Sequence, residues 1–168
     1  MFSLIIGVLL VLSLFSSCED TTCDPQLCPA PIQKEDVFFH GVMNLWAGAD
    51  PRAVVSRDFD GNGSNDLVTA NYSAATLSLF LNKGNGNFGA AHTIPACPVP
   101  YAMCADDLDG DGDNDIAVVN YALPGSVLIL LNHGHGTFSQ AGTHAVGNSP
   151  NSICAVDLDG DGDIDLAV

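Results

Sequence analysis

The chain has 168 residues, a formal net charge of −16 and only four Lys plus Arg. So few cations argue against nucleic acid as a partner, because phosphate neutralisation needs basic side chains. The length suits one domain of ordinary size, and 17 Gly with scattered Pro suit an all-β chain rich in turns.

Leu4 to Phe15 is an apolar run of twelve residues, too short for a membrane span of ~20 residues. It reads as the hydrophobic part of a secretory signal over residues 1–17, although Met1-Phe2-Ser3 carries no Lys or Arg. Ser16 and Ser17 then precede Cys18. That step resembles the lipobox of bacterial lipoproteins, with Phe15 where those proteins have Leu. The resemblance makes Cys18 a candidate lipidation site and a lipid anchor the only membrane link. Secretion without lipid is the alternative. Residues 18–35, rich in Cys and Pro, read as a tether. Cys23 could pair with Cys28, and Cys97 with Cys104, but spacing does not fix connectivity. Cys104 and Cys154 each sit three residues before an acidic loop, where Val55 stands in the first repeat. They fit a role as small buried hydrophobes.

Three loops dominate the remainder: Asp58-Phe59-Asp60-Gly61-Asn62-Gly63-Ser64-Asn65-Asp66, Asp107-Leu108-Asp109-Gly110-Asp111-Gly112-Asp113-Asn114-Asp115 and Asp157-Leu158-Asp159-Gly160-Asp161-Gly162-Asp163-Ile164-Asp165. They hold 13 of the 20 acidic residues, so the negative charge is concentrated at candidate sites rather than spread over a solvated surface. Like charges this close repel unless something cancels them. Side chains at positions 1, 3, 5 and 9 and the carbonyl at position 7 can converge on one point, with glycines at 4 and 6 allowing a tight wrap. Thus Asp58, Asp60, Asn62, Ser64 and Asp66 form one candidate set. Asp107, Asp109, Asp111, Asp113 and Asp115 form the second, and Asp157, Asp159, Asp161, Asp163 and Asp165 the third. Hard oxygen donors without Cys or His fit Ca²⁺, about one ion per loop, ahead of Mg²⁺ with its small octahedral shell. With Asn62 in place of a carboxylate, loop one is expected to bind most weakly. An EF-hand would need Glu at position 12 and flanking helices; Thr69, Val118 and Val168 stand there, within short β-branched runs.

The repeat extends beyond the loops. Pro51, Pro100 and Pro150 each lie seven residues before a loop, and Phe39, Phe88 and Phe138 twelve residues before those prolines. A first strand is predicted between Pro and loop (Ala53–Val55, Ala102–Cys104, Ser152–Cys154) and a second just after the loop. A third strand is predicted at Thr76–Leu81 and Ser126–Leu131, a Gly-rich turn opens at Asn82 and Asn132, and a fourth strand follows. Four short strands in ~50 residues make one propeller blade. The loops, the strands after them and the Asn-x-Gly-x-Gly-x-Phe turns resemble the FG-GAP/VCBS repeats, relatives of integrin α-subunit blades, over residues 36–168.

That resemblance implies an all-β, partial β-propeller: an opening strand from Phe39, two full blades and a third ending at Val168. It implies calcium-binding loops on one propeller face, no catalysis by the module itself, and an extracellular protein or carbohydrate ligand. The protein would be exported to a cell surface or outer membrane, or secreted, and would serve adhesion, ligand binding or scaffolding. The chain reads as the first part of a longer protein, or as one that closes by assembly. The alternative is a substrate-binding appendage of a larger secreted enzyme. A glycosidase reading of the paired carboxylates is disfavoured, since a metal ligand cannot easily act as a raised-pKa acid. His133 and His135 read as turn residues, and the Asn62 and Asn71 sequons as chance matches. Trp46, expected in a fourth strand of the opening unit, is assigned to core or edge packing.

Overall fold

The computed structural model describes residues 4–5 and 43–168. Most of the signal segment, Cys18, the tether with Cys23 and Cys28, and Phe39 lie outside the described residues. β1 (Leu4–Ile5) and β2 (Asn44–Leu45) are two residues each. Leu45 to Val168 belong to one compact unit. In it β3 (Pro51–Arg57), β4 (Asp66–Asn71), β5 (Thr76–Phe80) and β6 (His92–Pro95) pair antiparallel in sequence order. β7 (Pro100–Asp106), β8 (Asp115–Asn120), β9 (Ser126–Asn132) and β10 (Phe138–Ala145) repeat the pattern. β11 (Cys154–Val156) and β12 (Asp165–Ala167) pair as the start of a third sheet. These are two four-stranded blades and the inner hairpin of another, so the all-β partial propeller stands. The first strands β3 and β7 run longer than predicted, because their ladders continue to the loop, ending at Arg57↔Asp66 and Asp106↔Asp115.

Strand periodicity decides how the blades stack. Alternate side chains leave opposite faces of a sheet. Val68, Ala70, Leu77 and Leu79 of the first blade meet Met103, Ala105, Ile116, Val118, Leu128 and Leu130 of the second in one buried cluster. On the other face of the second blade, Ala117, Val119 and Val127, flanked by Cys104 and Ile129, pack with Ile153 and Leu166 of the third. β8 is covered on both sides, which is why Ile116-Ala117-Val118-Val119 is unbroken by a polar residue. The free face of the first blade differs. Thr69, Asn71 and Ser78 are buried there and bonded to one another. The chain crosses this face at Gly48, whose N–H donates to Ser78 Oγ at 3.3 Å. A Cβ on Gly48 would come within 2.7 Å of the Asn71 amide, so only glycine fits. Trp46, just before this crossing, lies outside any strand and is 56% exposed. It is therefore not a core residue and not part of a fourth strand.

Cys97, Cys104 and Cys154 are free thiols, so no local Cys97–Cys104 bridge exists. Burial pushes the Cys97 and Cys104 thiols up to about 11, which leaves them unreactive. Cys104 is half-buried, and Cys154 is exposed, contrary to the expectation of a buried hydrophobe.

Two seams join consecutive blades at opposite ends of the strands. Away from the acidic loops, Tyr101 stacks on Tyr121 with centroids 4.8 Å apart and meets Tyr72 edge-on at 6.2 Å. Arg52 sits 5.1 Å from the Tyr72 ring centroid. At the loop end, position 2 of each loop is apolar. Phe59 is 1% exposed and meets Phe138 of the next blade edge-on at 5.8 Å. Leu108 packs into the second cluster, whereas Leu158 is 64% exposed. Phe59→Ala is expected to destabilise by about 3–5 kcal/mol and Leu158→Ala by no more than about 0.5 kcal/mol. Urea unfolding checks both, and equal costs would remove the plug role from position 2.

Candidate metal centre

Each acidic loop is folded by its own carboxylates. Asp58 Oδ1 accepts the N–H of Gly61 at 2.8 Å and of Asn62 at 3.2 Å, and its Oδ2 accepts Gly63 N–H at 2.7 Å. Asp107 does the same with Gly110, Asp111 and Gly112 at 2.9, 3.1 and 3.0 Å. Asp157 takes Gly160 at 2.7 Å and Gly162 at 3.1 Å. The wrap demands left-handed backbone at positions 4 and 6, and Gly110 and Gly112 have φ of 79° and 95°. Other L-residues rarely adopt such angles, so glycine is required.

Position 9 closes the loop from the following strand. Asp66 and Asp115 are fully buried at the first residues of β4 and β8. Asp66 Oδ2 accepts Phe59 N–H at 2.8 Å and Oδ1 accepts Asn82 N–H at 2.7 Å. Asp115 takes Leu108 N–H at 2.9 Å and Asn132 N–H at 2.8 Å. Asp165 has a single such partner among the described residues, Leu158 N–H at 3.0 Å.

Carboxylate oxygens then converge. Asp58, Asp60 and Asp66 place one oxygen each within 4.8 Å of one another, and so do Asp107, Asp109 and Asp115, and Asp157, Asp159 and Asp165. The triads comprise positions 1, 3 and 9. Asp111 and Asp161, at position 5, are outside them. Their Oδ1 atoms accept the N–H of Asp113 and Asp163 at 2.9 Å, as Asn62 Oδ1 accepts Ser64 N–H at 2.8 Å.

The electrostatics of the first two loops suit a positive charge. Burial pushes the Asp58 carboxyl up, but amide hydrogen bonds from Gly63, Gly61 and Asn62 outweigh it, and its pKa lies below the ordinary value. For Asp66, burial and the charges of Asp60 and Asp58 outweigh two amide bonds and raise it. Asp115 is raised in the same way, by burial and by Asp109 and Asp111. The first and second triads therefore each carry a carboxylate whose ionised form is disfavoured by burial and by its acidic neighbours. A hard divalent cation relieves that, and the all-oxygen donor set suits one. Each triad could hold one metal ion.

Sequence reasoning missed Asn82 and Asn132, the residues that open the Gly-rich turns. Their N–H groups close the second side of the position-9 carboxylate, 16 and 17 residues downstream of Asp66 and Asp115. The signal was available: an Asn at nearly the same offset in both repeats. Asn132 is 1% exposed and donates its side-chain amide to Phe59 O at 2.9 Å and Asn114 O at 3.1 Å. Its Oδ1 is buried without a hydrogen-bond partner, whereas Asn82 Oδ1 accepts Gly84 N–H at 3.1 Å.

Comparison with known proteins bears on the same loops. The family profile for the FG-GAP-like repeat matches residues 58–118 and 107–168. Each match begins at the first Asp of one loop and ends in or beyond the strand after the next. The chain belongs to the FG-GAP-like repeat family. No curated protein matches the sequence.

Two expectations follow. Charge favours loops two and three, while the amide wiring is fullest in loops one and two, so loop two should bind a divalent cation most tightly. Following the Gly63, Gly112 and Gly162 amides through a calcium titration tests the order; a first response elsewhere would contradict it. Asp115→Asn should abolish binding at loop two and destabilise by about 1–3 kcal/mol, because the amide keeps one acceptor oxygen and its buried –NH₂ would face the other of the two N–H donors. Asp111→Asn, which copies Asn62, should weaken binding less than about tenfold. The reverse ranking would make position 5 a stronger ligand than position 9.

Proposed function

We propose that this chain is an exported, calcium-stabilised β-propeller module that binds a protein or carbohydrate ligand or serves as a scaffold outside the cell. The observation that carries it is the recurrence of one oxygen triad at the same place in all three repeats. Asp58, Asp60 and Asp66 would hold the first ion, Asp107, Asp109 and Asp115 the second, and Asp157, Asp159 and Asp165 the third. Asn62, Asp111 and Asp161, with the carbonyls of Ser64, Asp113 and Asp163, would complete the donor sets. Hard oxygen donors without Cys or His favour Ca²⁺ over Mg²⁺, which demands a small octahedral shell. When bound, the ion supplies the positive charge that offsets carboxylate repulsion.

The chain's own residues do the rest. Position 1 organises the loop backbone, and position 9 ties it to β4 or β8 and, through Asn82 or Asn132, to the turn at the end of β5 or β9. Loading the triads thus becomes folding energy. Export is supported by the apolar run 4–15 and by Cys18 as a lipid acceptor. A non-catalytic role is supported by Asp66 and Asp115: both oxygens of each are bonded to backbone amides and buried, so neither reaches a substrate.

Calcium at 100 times its dissociation constant would add about 2.7 kcal/mol per site. Removing it with a chelator should lower Tm by more than about 5 °C. A scanning-calorimetry melt that chelator leaves unchanged would contradict the reading.

A further inference from the structure

We propose that Asn132 couples the first two metal loops, so that a cation held in one tightens the other. This rests on the calcium reading above. A continuous path of hydrogen bonds joins the two triads. Asp66 Oδ2, in the first, accepts Phe59 N–H at 2.8 Å. The carbonyl of that same Phe59 accepts the Asn132 side-chain amide at 2.9 Å and Gly136 N–H at 2.8 Å. The backbone N–H of Asn132 then donates to Asp115 Oδ1, in the second triad, at 2.8 Å. Asp66, Asn132 and Asp115 are buried, at 0%, 1% and 0% exposure, so solvent does not short-circuit the path. A shorter link runs beside it: Asn114 Nδ2, one residue before Asp115, donates to the carbonyl of Asp58 at 2.9 Å.

The contrast with other positions marks Asn132 as a positioning residue rather than a turn cap. Asn82, its counterpart, donates to Asn65 O and accepts Gly84 N–H, both within its own blade. Asn132 leaves its Oδ1 unbonded and directs its amide across the seam. In loop three Ile164 stands where loop two has Asn114, so the side-chain link from that position is missing there. Among the described residues no side-chain hydrogen bond joins it to loop two. A cation that fixes Asp115 also fixes the Asn132 backbone, the Phe59 peptide and hence Asp66 and Asp58. The ordering is done once for two sites, which is positive coupling without a change of fold.

The test is a calcium titration of the full chain, read at the Gly63 and Gly112 amides by NMR, with Gly162 as reference. Asp109→Asn blocks loop two. It should weaken calcium at loop one by about fivefold or more and leave loop three unchanged. In an Asn132→Ala background the same block should change loop one by less than about twofold. If Asn132→Ala does not fold, Asn114→Ala, which cuts the link to Asp58 O, runs the same cycle and should shrink the effect. Loop-one affinity indifferent to Asp109→Asn overturns the coupling and leaves metal binding standing. Gly63 and Gly112 amides that ignore calcium in the unaltered chain overturn the metal reading itself.

Discussion

The blades of this protein meet where three carboxylates are forced together. Each acidic loop brings an oxygen from positions 1, 3 and 9 within 4.8 Å of two others, and in the first two loops one of the three is fully buried. Repulsion at that range, in a poorly solvated site, opposes folding. Backbone amides answer part of it: three for position 1 and two for position 9 in loops one and two. They do not suffice at position 9, where Asp66 and Asp115 are still raised above the ordinary carboxylate value. A cation held by the triad could offset the remainder.

That requirement explains why the loops lie where they do. Position 9 is the first residue of β4 and β8, the strands buried in the middle of each blade. Position 2 is the apolar plug into the next blade, and its N–H is bonded to position 9. A charge-neutralised loop therefore holds a sheet and a seam at once. At the opposite end of the strands, the Arg52–Tyr72–Tyr101–Tyr121 row joins the same two blades without any ion. Blade stacking has one fastening at the acidic loops and one at the aromatic row.

The repeat, the strand order and the triads were legible in the sequence because they depend on spacing. Asp at every second position, Gly at 4 and 6, and a β-branched run after each loop specify a turn between two strands. Other features were not legible. Position 5 looks the same as positions 1, 3 and 9 in the sequence, but Asp111 and Asp161 also cap position 7 and lie beside the triad oxygens rather than among them. Only three-dimensional placement separates those roles. Asn132 reads as an ordinary turn residue because its partners, Phe59 and Asp115, lie 73 and 17 residues away. Trp46 was placed in a strand by the repeat pattern, whereas the close approach of Gly48 to Asn71 is a backbone property that the pattern cannot report.

The most direct measurement of the central claim is a crystal structure of the chain grown in excess calcium. The account predicts an ion in each of the three triads, bonded to the oxygens of positions 1, 3 and 9 at about 2.3–2.6 Å. Intact blades with empty triads under those conditions would contradict it.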